Sequence, residues 1–106
     1  MNLQQLRYLC AIVDHGLNVS DAAEALCTSQ PGISKQIRQL EDELGLKVLV
    51  RQGKRLTALT PAGSVVLATA RRALSEIGNL KRVADEYRRE DAGTLTIATT
   101  HTQARH

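Results

Sequence analysis

The sequence predicts a mainly α-helical protein of three short helices, a two-stranded hairpin, a long helix and a short terminal strand. Apolar residues recur at intervals of three and four across residues 3–45 and 61–89, as they do in amphipathic helices. Two β-rich runs flank a glycine-containing turn near residue 53. Trp and Phe are absent and only Tyr8 and Tyr87 are aromatic, so the expected core consists of Leu, Ile, Val and Ala.

The first two predicted helices are short and end at recognisable signals. The first covers residues 3–16, where helical spacing is kept by Leu3, Leu6, Cys10, Val13 and Leu17, and Gly16 is its expected stop. We expect Ser20 to cap the second helix, with Asp21 and Glu24 in its first turn, where acids favour the helix dipole.

The third predicted helix has two chemically opposed faces. Thr28 and Ser29 precede it as caps, Pro31 lies in its first turn and Gly45 ends it. One apolar stripe is formed by Ile33, Ile37, Leu40 and Leu44. At roughly 100° per residue, the opposite side carries Pro31, Ser34, Lys35 and Arg38. We call these four residues the polar face. It offers donors and positive charge to a negatively charged partner, and the major groove of DNA fits it best.

Positive charge is concentrated after this helix. The net charge is only +3, and residues 1–45 contain twice as many acids as bases. Residues 46–63 contain no acid and four bases, Lys47, Arg51, Lys54 and Arg55. The runs 46–50 and 55–60 predict a hairpin around residues 51–54. Its basic tip is either a solvated turn or, after a helix-turn-helix, a wing that contacts the DNA backbone or minor groove; we favour the wing.

A long helix is predicted over residues 61–89, with Thr60 as its N-cap and Pro61 at its start. Its apolar positions alternate in spacing between four and three: Val66, Ala70, Ala73, Ile77, Leu80, Ala84 and Tyr87. We number the four predicted helices α1 to α4 in chain order and call these residues the α4 stripe. It either packs against the chain's own domain or, as we favour, against a partner helix from a second copy.

Beyond the long helix we expect a break at Asp91-Ala92-Gly93 and then a strand over residues 94–100, where polar and apolar residues alternate. A lone terminal strand has no partner. The sequence therefore suggests that the chain is a truncated form of a longer protein.

Several function classes are disfavoured. Cys10 and Cys27 have no metal-binding or redox spacing, and we expect both to be small buried residues on helices. The N-terminus lacks the features of a secretory signal or membrane span, so a cytoplasmic protein without membrane contact is expected. Ser, His and Asp residues are present but scattered, without the spacing of a catalytic or metal-binding site, so we expect no enzyme activity, no cofactor and no metal site. The scarcity of aromatic residues argues against binding single-stranded nucleic acid.

Specific motifs carry a family resemblance: A-E-x-L at 23–26, S-Q-P-G-I-S at 29–34, Q-I-R-x-L-E at 36–41, L-G at 44–45 and Leu-Thr-Pro-Ala-Gly at 59–63. Residues 1–90 resemble the N-terminal DNA-binding region of LysR-type transcriptional regulators. The runs LQQLRYL, TSQPGISKQIRQLEDELG and TLTIATTHTQAR further resemble the CysB-like branch, activators of sulfur assimilation and cysteine synthesis. The resemblance implies a winged helix-turn-helix at 1–60, a linker or dimerisation helix at 61–90 and the start of a truncated effector domain at 91–106.

The resemblance also implies site residues. The DNA-contacting positions fall on Thr28, Ser29, Gln30, Pro31, Ser34, Lys35 and Arg38 of the third helix and on Arg51, Lys54 and Arg55 of the wing. Positions that line the effector pocket in the CysB-like branch fall on Thr100, Thr102 and Gln103. The chain departs from the family by ending there, so a small-molecule effector is expected only for a full-length form.

Two hypotheses follow. The first is a sequence-specific regulator of transcription that binds double-stranded DNA as a homodimer or higher oligomer through the α4 stripe, with RNA polymerase as a candidate further partner. The second is a truncated partner that pairs with a full-length LysR-type regulator through the same helix and modulates its activity.

Overall fold

The computed structural model describes residues 1–97 of the chain and the side chains of residues 1–90. Its elements are α1 (Leu3–Asp14), α2 (Val19–Ala25), α3 (Gln30–Leu44), β1 (Leu49–Gln52), β2 (Arg55–Leu59) and α4 (Pro61–Ile97). The chain divides into two compact units, Met1–Leu74 and Ser75–His106. The predicted fold class of short helices, a two-stranded hairpin and a long helix is confirmed.

The first unit is built on one hydrophobic core between α1, α2, α3 and β1. The buried core residues are Leu9, Ile12, Ala22, Ala23, Ile33, Ile37, Leu40, Val48 and Leu49. Three members of the predicted stripe on α3, Ile33, Ile37 and Leu40, are fully buried, and Leu44 packs against them half-buried. The apolar side of α3 therefore anchors this helix, as its spacing predicts.

The cap of α2 differs from the prediction. Asn18, not Ser20, is the N-cap, and its side-chain oxygen accepts a hydrogen bond from the backbone N–H of Asp21 at 3.0 Å. Ser20 lies inside the first turn, because α1 ends two residues earlier than predicted and Gly16 and Leu17 both adopt positive φ. The chain therefore reaches the capping position at Asn18. Both residues are good N-caps, so composition alone does not separate them.

The turn between α2 and α3 places Cys27 in the left-handed region, with a φ of 56°. Cys27 is exposed there, whereas Cys10 is buried on α1. The prediction that both cysteines are buried on helices is therefore wrong for Cys27, which lies in the turn. Ser29 caps α3 by accepting a hydrogen bond from the Gly32 N–H at 3.1 Å, and Gly45 ends α3 with a φ of 73°. Both ends of α3 agree with the predicted signals.

The hairpin is shifted relative to the prediction. Strands β1 and β2 pair in antiparallel register from Leu49 opposite Leu59 to Gln52 opposite Arg55, with an irregularity between Val50 and Arg51. Only Gly53 and Lys54 form the turn, and Gly53 has a φ of 64°. A two-residue turn with a glycine at positive φ matches the twist of the two strands. Strand pairing can therefore include Arg51 and Gln52, which were predicted to lie in the loop.

Thr60 joins the hairpin to α4. Its hydroxyl donates to the Lys47 carbonyl at 2.6 Å and accepts from the Gly63 N–H at 2.8 Å, and its own N–H donates to the Val48 carbonyl at 2.9 Å. The predicted cap is confirmed. The side chain also fixes the first turn of α4 against the segment that precedes β1. A Cβ atom on Gly63 would lie 2.0 Å from the Val48 oxygen, so the two backbones are in direct contact.

The α4 stripe divides between the two units. In the first unit, Val66 packs half-buried on the core and Ala70 is buried, so this part of the stripe packs against the chain's own domain. In the second unit, Leu80 is 64% exposed, and Ala84 and Tyr87 are also exposed. The prediction that the whole stripe faces a partner helix is therefore wrong for Val66 and Ala70.

The predicted break at 91–93 is not observed, because α4 continues through Gly93 to Ile97. One glycine costs a helix only about 1 kcal/mol relative to alanine. A strand over residues 94–100 would have to find a pairing partner, whereas a helix satisfies its own backbone groups. Residues 98–100 of that predicted strand lie outside the described residues. Within residues 1–97, no helix combines the length and apolar character that crossing a membrane requires.

Candidate nucleic-acid interface

The polar face of α3 lies on the side opposite the core. Pro31, Lys35 and Arg38 are exposed and Ser34 is half-buried. The apolar stripe on the other side of α3, which begins at Ile33, is buried in the core. Rotating α3 so that the polar face became hidden would therefore expose this stripe to water. The helix therefore presents two cations and a hydroxyl to solvent in a fixed orientation.

The N-terminal end of α3 extends this face. Ser29 and Gln30 are exposed and Thr28 is half-buried. The Gln30 amide nitrogen donates to the Ser20 hydroxyl on α2 at 3.0 Å. That bond uses one of the two amide hydrogens and leaves the second hydrogen and the carbonyl oxygen for a further partner. Ser20, which the sequence suggested as a cap, instead contacts this predicted base-reading side chain.

A groove runs between the start of α2, together with Gln30 at the start of α3, and the hairpin. Asn18, Ser20 and Gln30 line one side, and Lys54 and Arg55 line the other. Both basic side chains are exposed. Together with Lys35 and Arg38 on α3, they place four exposed cations on the predicted DNA-binding elements, where they can attract a polyanion that contacts α3 and the hairpin together.

Arg51 differs from the other predicted wing residues. It is half-buried, and its guanidinium lies 3.9 Å from a carboxylate oxygen of Glu41. No structural role was assigned to Glu41 from the sequence. In the structure Glu41 is only 2% exposed. A signal was present, since Glu41 continues the four-residue spacing of Ile33 and Ile37 along the buried side of α3.

A second buried polar residue that sequence reasoning missed also holds α3. Gln5 on α1 is 3% exposed, accepts from the backbone N–H of Asn2 and donates to the Gln36 side-chain oxygen at 3.1 Å. Gln5 also completes a capping box with Asn2. That box is a recognisable pattern, but the contact with Gln36 depends on how α1 crosses α3.

Two groups on α1, Asp14 and Cys10, have shifted pKa values, and both lie apart from the polar face of α3. The hydrogen bond from Arg71, at 2.8 Å, lowers the pKa of Asp14, and burial raises the pKa of the Cys10 thiol. A carboxyl group whose pKa is lowered by folding stabilises the folded state at pH values above its unfolded-state pKa. This stabilisation is lost as the pH falls through its folded-state pKa. Both partners in the ion pair are about half exposed, so its contribution is small.

The remaining predicted sites have no described geometry. Thr100, Thr102 and Gln103, predicted to contribute to an effector pocket, lie outside the described residues. Among the side chains of residues 1–90, no three His, Cys, Asp or Glu groups lie together so that they could hold a metal ion.

Comparison with known proteins assigns this arrangement to a family. The sequence model of the bacterial regulatory helix-turn-helix proteins of the lysR family matches residues 3–64, which include α1, α2, α3 and the hairpin. The chain belongs to the lysR family. Over all of its 106 residues it is 54% identical to the HTH-type transcriptional regulator CysB of Haemophilus influenzae and 47% identical to the HTH-type transcriptional regulator cbl of Escherichia coli K12. The chain spans about a third of the length of these two relatives, 33% and 34%.

A solved structure of a protein–DNA complex shares the fold. The crystal structure of the BenM_DBD/benA site 1 DNA complex superimposes with a TM-score of 0.75 at 33% identity and covers 82% of this chain and 96% of that chain. The resemblance to LysR-type regulators and to the CysB-like branch is therefore confirmed, and so is the predicted fold class.

Proposed function

We propose that this chain binds double-stranded DNA in a sequence-dependent manner, as the DNA-binding part of a LysR-type transcription regulator. The main support is the orientation of α3, whose apolar side is buried in the core while Lys35 and Arg38 are exposed on the other side. An α-helix fits the major groove of B-DNA, where base edges can be distinguished. The lysR family and the DNA-complex neighbour support the same assignment.

Each group on α3 has a role under this proposal. Gln30 pairs with adenine through its carbonyl oxygen and amide hydrogen, while Lys35 and Arg38 donate to guanine or to phosphate. Ser34 either donates or accepts. Pro31 packs beside a base or sugar, and Thr28 and Ser29 lie at the phosphate backbone near the helix start. Lys54 and Arg55 of the hairpin contact the adjacent backbone or minor groove.

Dimerisation through α4 is part of the proposal. One good base contact discriminates by about 1–3 kcal/mol, so a single copy that contacts three or four bases would select its site weakly. Two copies contact two half-sites of a partly palindromic sequence. Leu80, Ala84 and Tyr87 leave an exposed apolar strip on the second unit that suits this contact. The same strip would serve a mixed dimer with a longer regulator, and no separate observation favours that alternative.

We further propose that the regulated genes belong to sulfur assimilation and cysteine synthesis, and that the regulator acts in the cytoplasm. The support is the identity of about half of all residues with regulators named CysB. We also propose that a small-molecule effector and contact with RNA polymerase involve a longer form of the regulator.

Salt dependence tests the proposal. With four phosphate contacts in each copy, the logarithm of the binding constant should fall against the logarithm of salt concentration with a slope near about −7 for a dimer. Titration of a fluorescently labelled duplex at several salt concentrations measures this slope. A slope near zero, or the same affinity for every duplex tested, would falsify specific DNA binding.

Leu80→Glu tests the dimer. Because Leu80 is 64% exposed, a carboxylate should be tolerated in the isolated chain but should weaken a helix pair by about tenfold or more in dissociation constant. Light scattering over a concentration series measures the change. Ser75→Glu is the matched control, since it adds the same charge at an exposed position off the stripe. Equal dissociation of both variants would contradict a contact through the α4 stripe.

A further inference from the structure

Glu41 connects α3 to the hairpin through backbone hydrogen bonds. Its Oε2 atom accepts from the N–H of Val48 at 2.8 Å and from the N–H of Leu49 at 3.2 Å. Val48 and Leu49 are core residues, and Leu49 is the first residue of β1. The carboxylate therefore fixes the point at which the chain leaves α3 and enters the hairpin.

The other carboxylate oxygen of Glu41, Oε1, is buried and lacks a hydrogen-bond donor in the described part of the chain. Within the described part of the chain, the cation that lies within ion-pair distance of Oε1 is the Arg51 guanidinium, at 3.9 Å. The Glu41 side chain is 1% exposed and that of Arg51 is 28% exposed, so water screens this pair much less than a surface pair.

This arrangement restrains Arg51. A buried carboxylate is tolerated when hydrogen bonds and a counter-charge compensate for its lost hydration. Moving Arg51 out to a DNA phosphate would remove the counter-charge and leave Glu41 buried with two backbone donors alone. Lys54 and Arg55 carry no such cost, because both are exposed at the tip of the hairpin.

We infer that Glu41 and Arg51 form a positioning pair that holds the hairpin against α3, and that Arg51 is withheld from the DNA phosphates. The inference rests on the proposed function, because it concerns how two DNA-binding elements are held together. It replaces the sequence-based expectation that Arg51 contacts DNA. The pair sets the distance between the polar face of α3 and the cations at the hairpin tip.

A set of salt-slope measurements tests the pair. Arg51→Gln should weaken binding, because the hairpin is less firmly placed, but leave the slope as in the wild type. Lys54→Gln, which removes a proposed phosphate contact, should make the slope less negative by about 1 per copy. Glu41→Gln keeps an oxygen that can accept from Val48 and Leu49 but releases Arg51, so its slope should become more negative by about 1 per copy. Glu41→Gln/Arg51→Gln should return to the wild-type slope.

Asp42→Asn is the matched control for Glu41→Gln. It removes one acid from an exposed position on the same helix without releasing an arginine, so its slope should stay at the wild-type value. If Arg51→Gln does not fold, the double variant carries the test, since it removes both charges together. If the slope for Arg51→Gln, or for the double variant, becomes less negative by about 1 per copy, as for Lys54→Gln, the inference is overturned. A wild-type slope for Glu41→Gln also overturns it.

Urea unfolding separates this inference from the proposed function. The pair predicts that the two single substitutions are coupled by about tenfold in the unfolding equilibrium constant, whether or not DNA is bound. Additive effects on unfolding would contradict the pair. A wild-type salt slope near zero with coupled unfolding would reject the proposed function and retain the pair.

Discussion

Gly63→Ala should destabilise the first unit by more than about 3 kcal/mol, a large part of the roughly 5–15 kcal/mol by which a small domain is stable. The added Cβ would lie 2.0 Å from the Val48 carbonyl oxygen and 2.9 Å from its carbon. Both are backbone atoms, so the clash cannot be relieved by a side-chain rotation. The first turn of α4 would have to move away from the segment before β1. Thr60 would then lose its hydrogen bonds to Lys47 and Val48.

Gly78→Ala is the control for this substitution. It lies on the same helix, and a Cβ atom there meets nothing within 4 Å. The alanine should therefore stabilise α4 by up to about 1 kcal/mol, because it restricts the unfolded chain. Urea unfolding followed by circular dichroism measures both variants. If Gly63→Ala is as stable as Gly78→Ala, the close contact between α4 and the segment before β1 is absent.

Gln30→Ala and Lys54→Ala should weaken DNA binding in different ways. Loss of Gln30 removes a proposed base contact, so affinity for a duplex selected from a random pool should fall by about 1–3 kcal/mol. Affinity for an unrelated duplex should hardly change. Loss of Lys54 removes a proposed phosphate contact and should weaken both duplexes by the same factor. Titrations of the two duplexes with each variant give the ratio that separates the two roles.

Gln4→Ala controls for the loss of an exposed glutamine, since Gln4 is exposed on α1 and belongs to none of the proposed contacts. It should leave both affinities unchanged. If Lys54→Ala changes the ratio between the duplexes and Gln30→Ala does not, the roles of α3 and the hairpin are the reverse of those proposed.

Regular spacing and end signals made most of the fold predictable from the sequence. The buried stripe on α3, the cap at Ser29 and the stop at Gly45 are local patterns that the core reinforces. The exposed position of Lys35 and Arg38 follows from the same stripe. These features need no knowledge of how distant segments meet.

The features that the sequence analysis missed depend on tertiary contacts between distant segments or on small differences in energy. Asn18 and Ser20 are both good caps, and the choice is made by where α1 ends. Glu41 is buried because the chain between α3 and β1 offers two backbone donors to one carboxylate, which spacing alone does not show. The α4 stripe continues without a break in sequence, yet the first unit covers only its beginning.

Methylation protection of the selected duplex tests the central claim most directly. Dimethyl sulfate modifies guanine N7 in the major groove and adenine N3 in the minor groove. With α3 of each copy in the major groove, guanine N7 atoms should be protected in two patches separated by one helical turn, about 10 base pairs, or a multiple of it. Guanine N7 atoms that react as fast as in free DNA, while the protein is bound, would show that the polar face of α3 does not lie in the major groove.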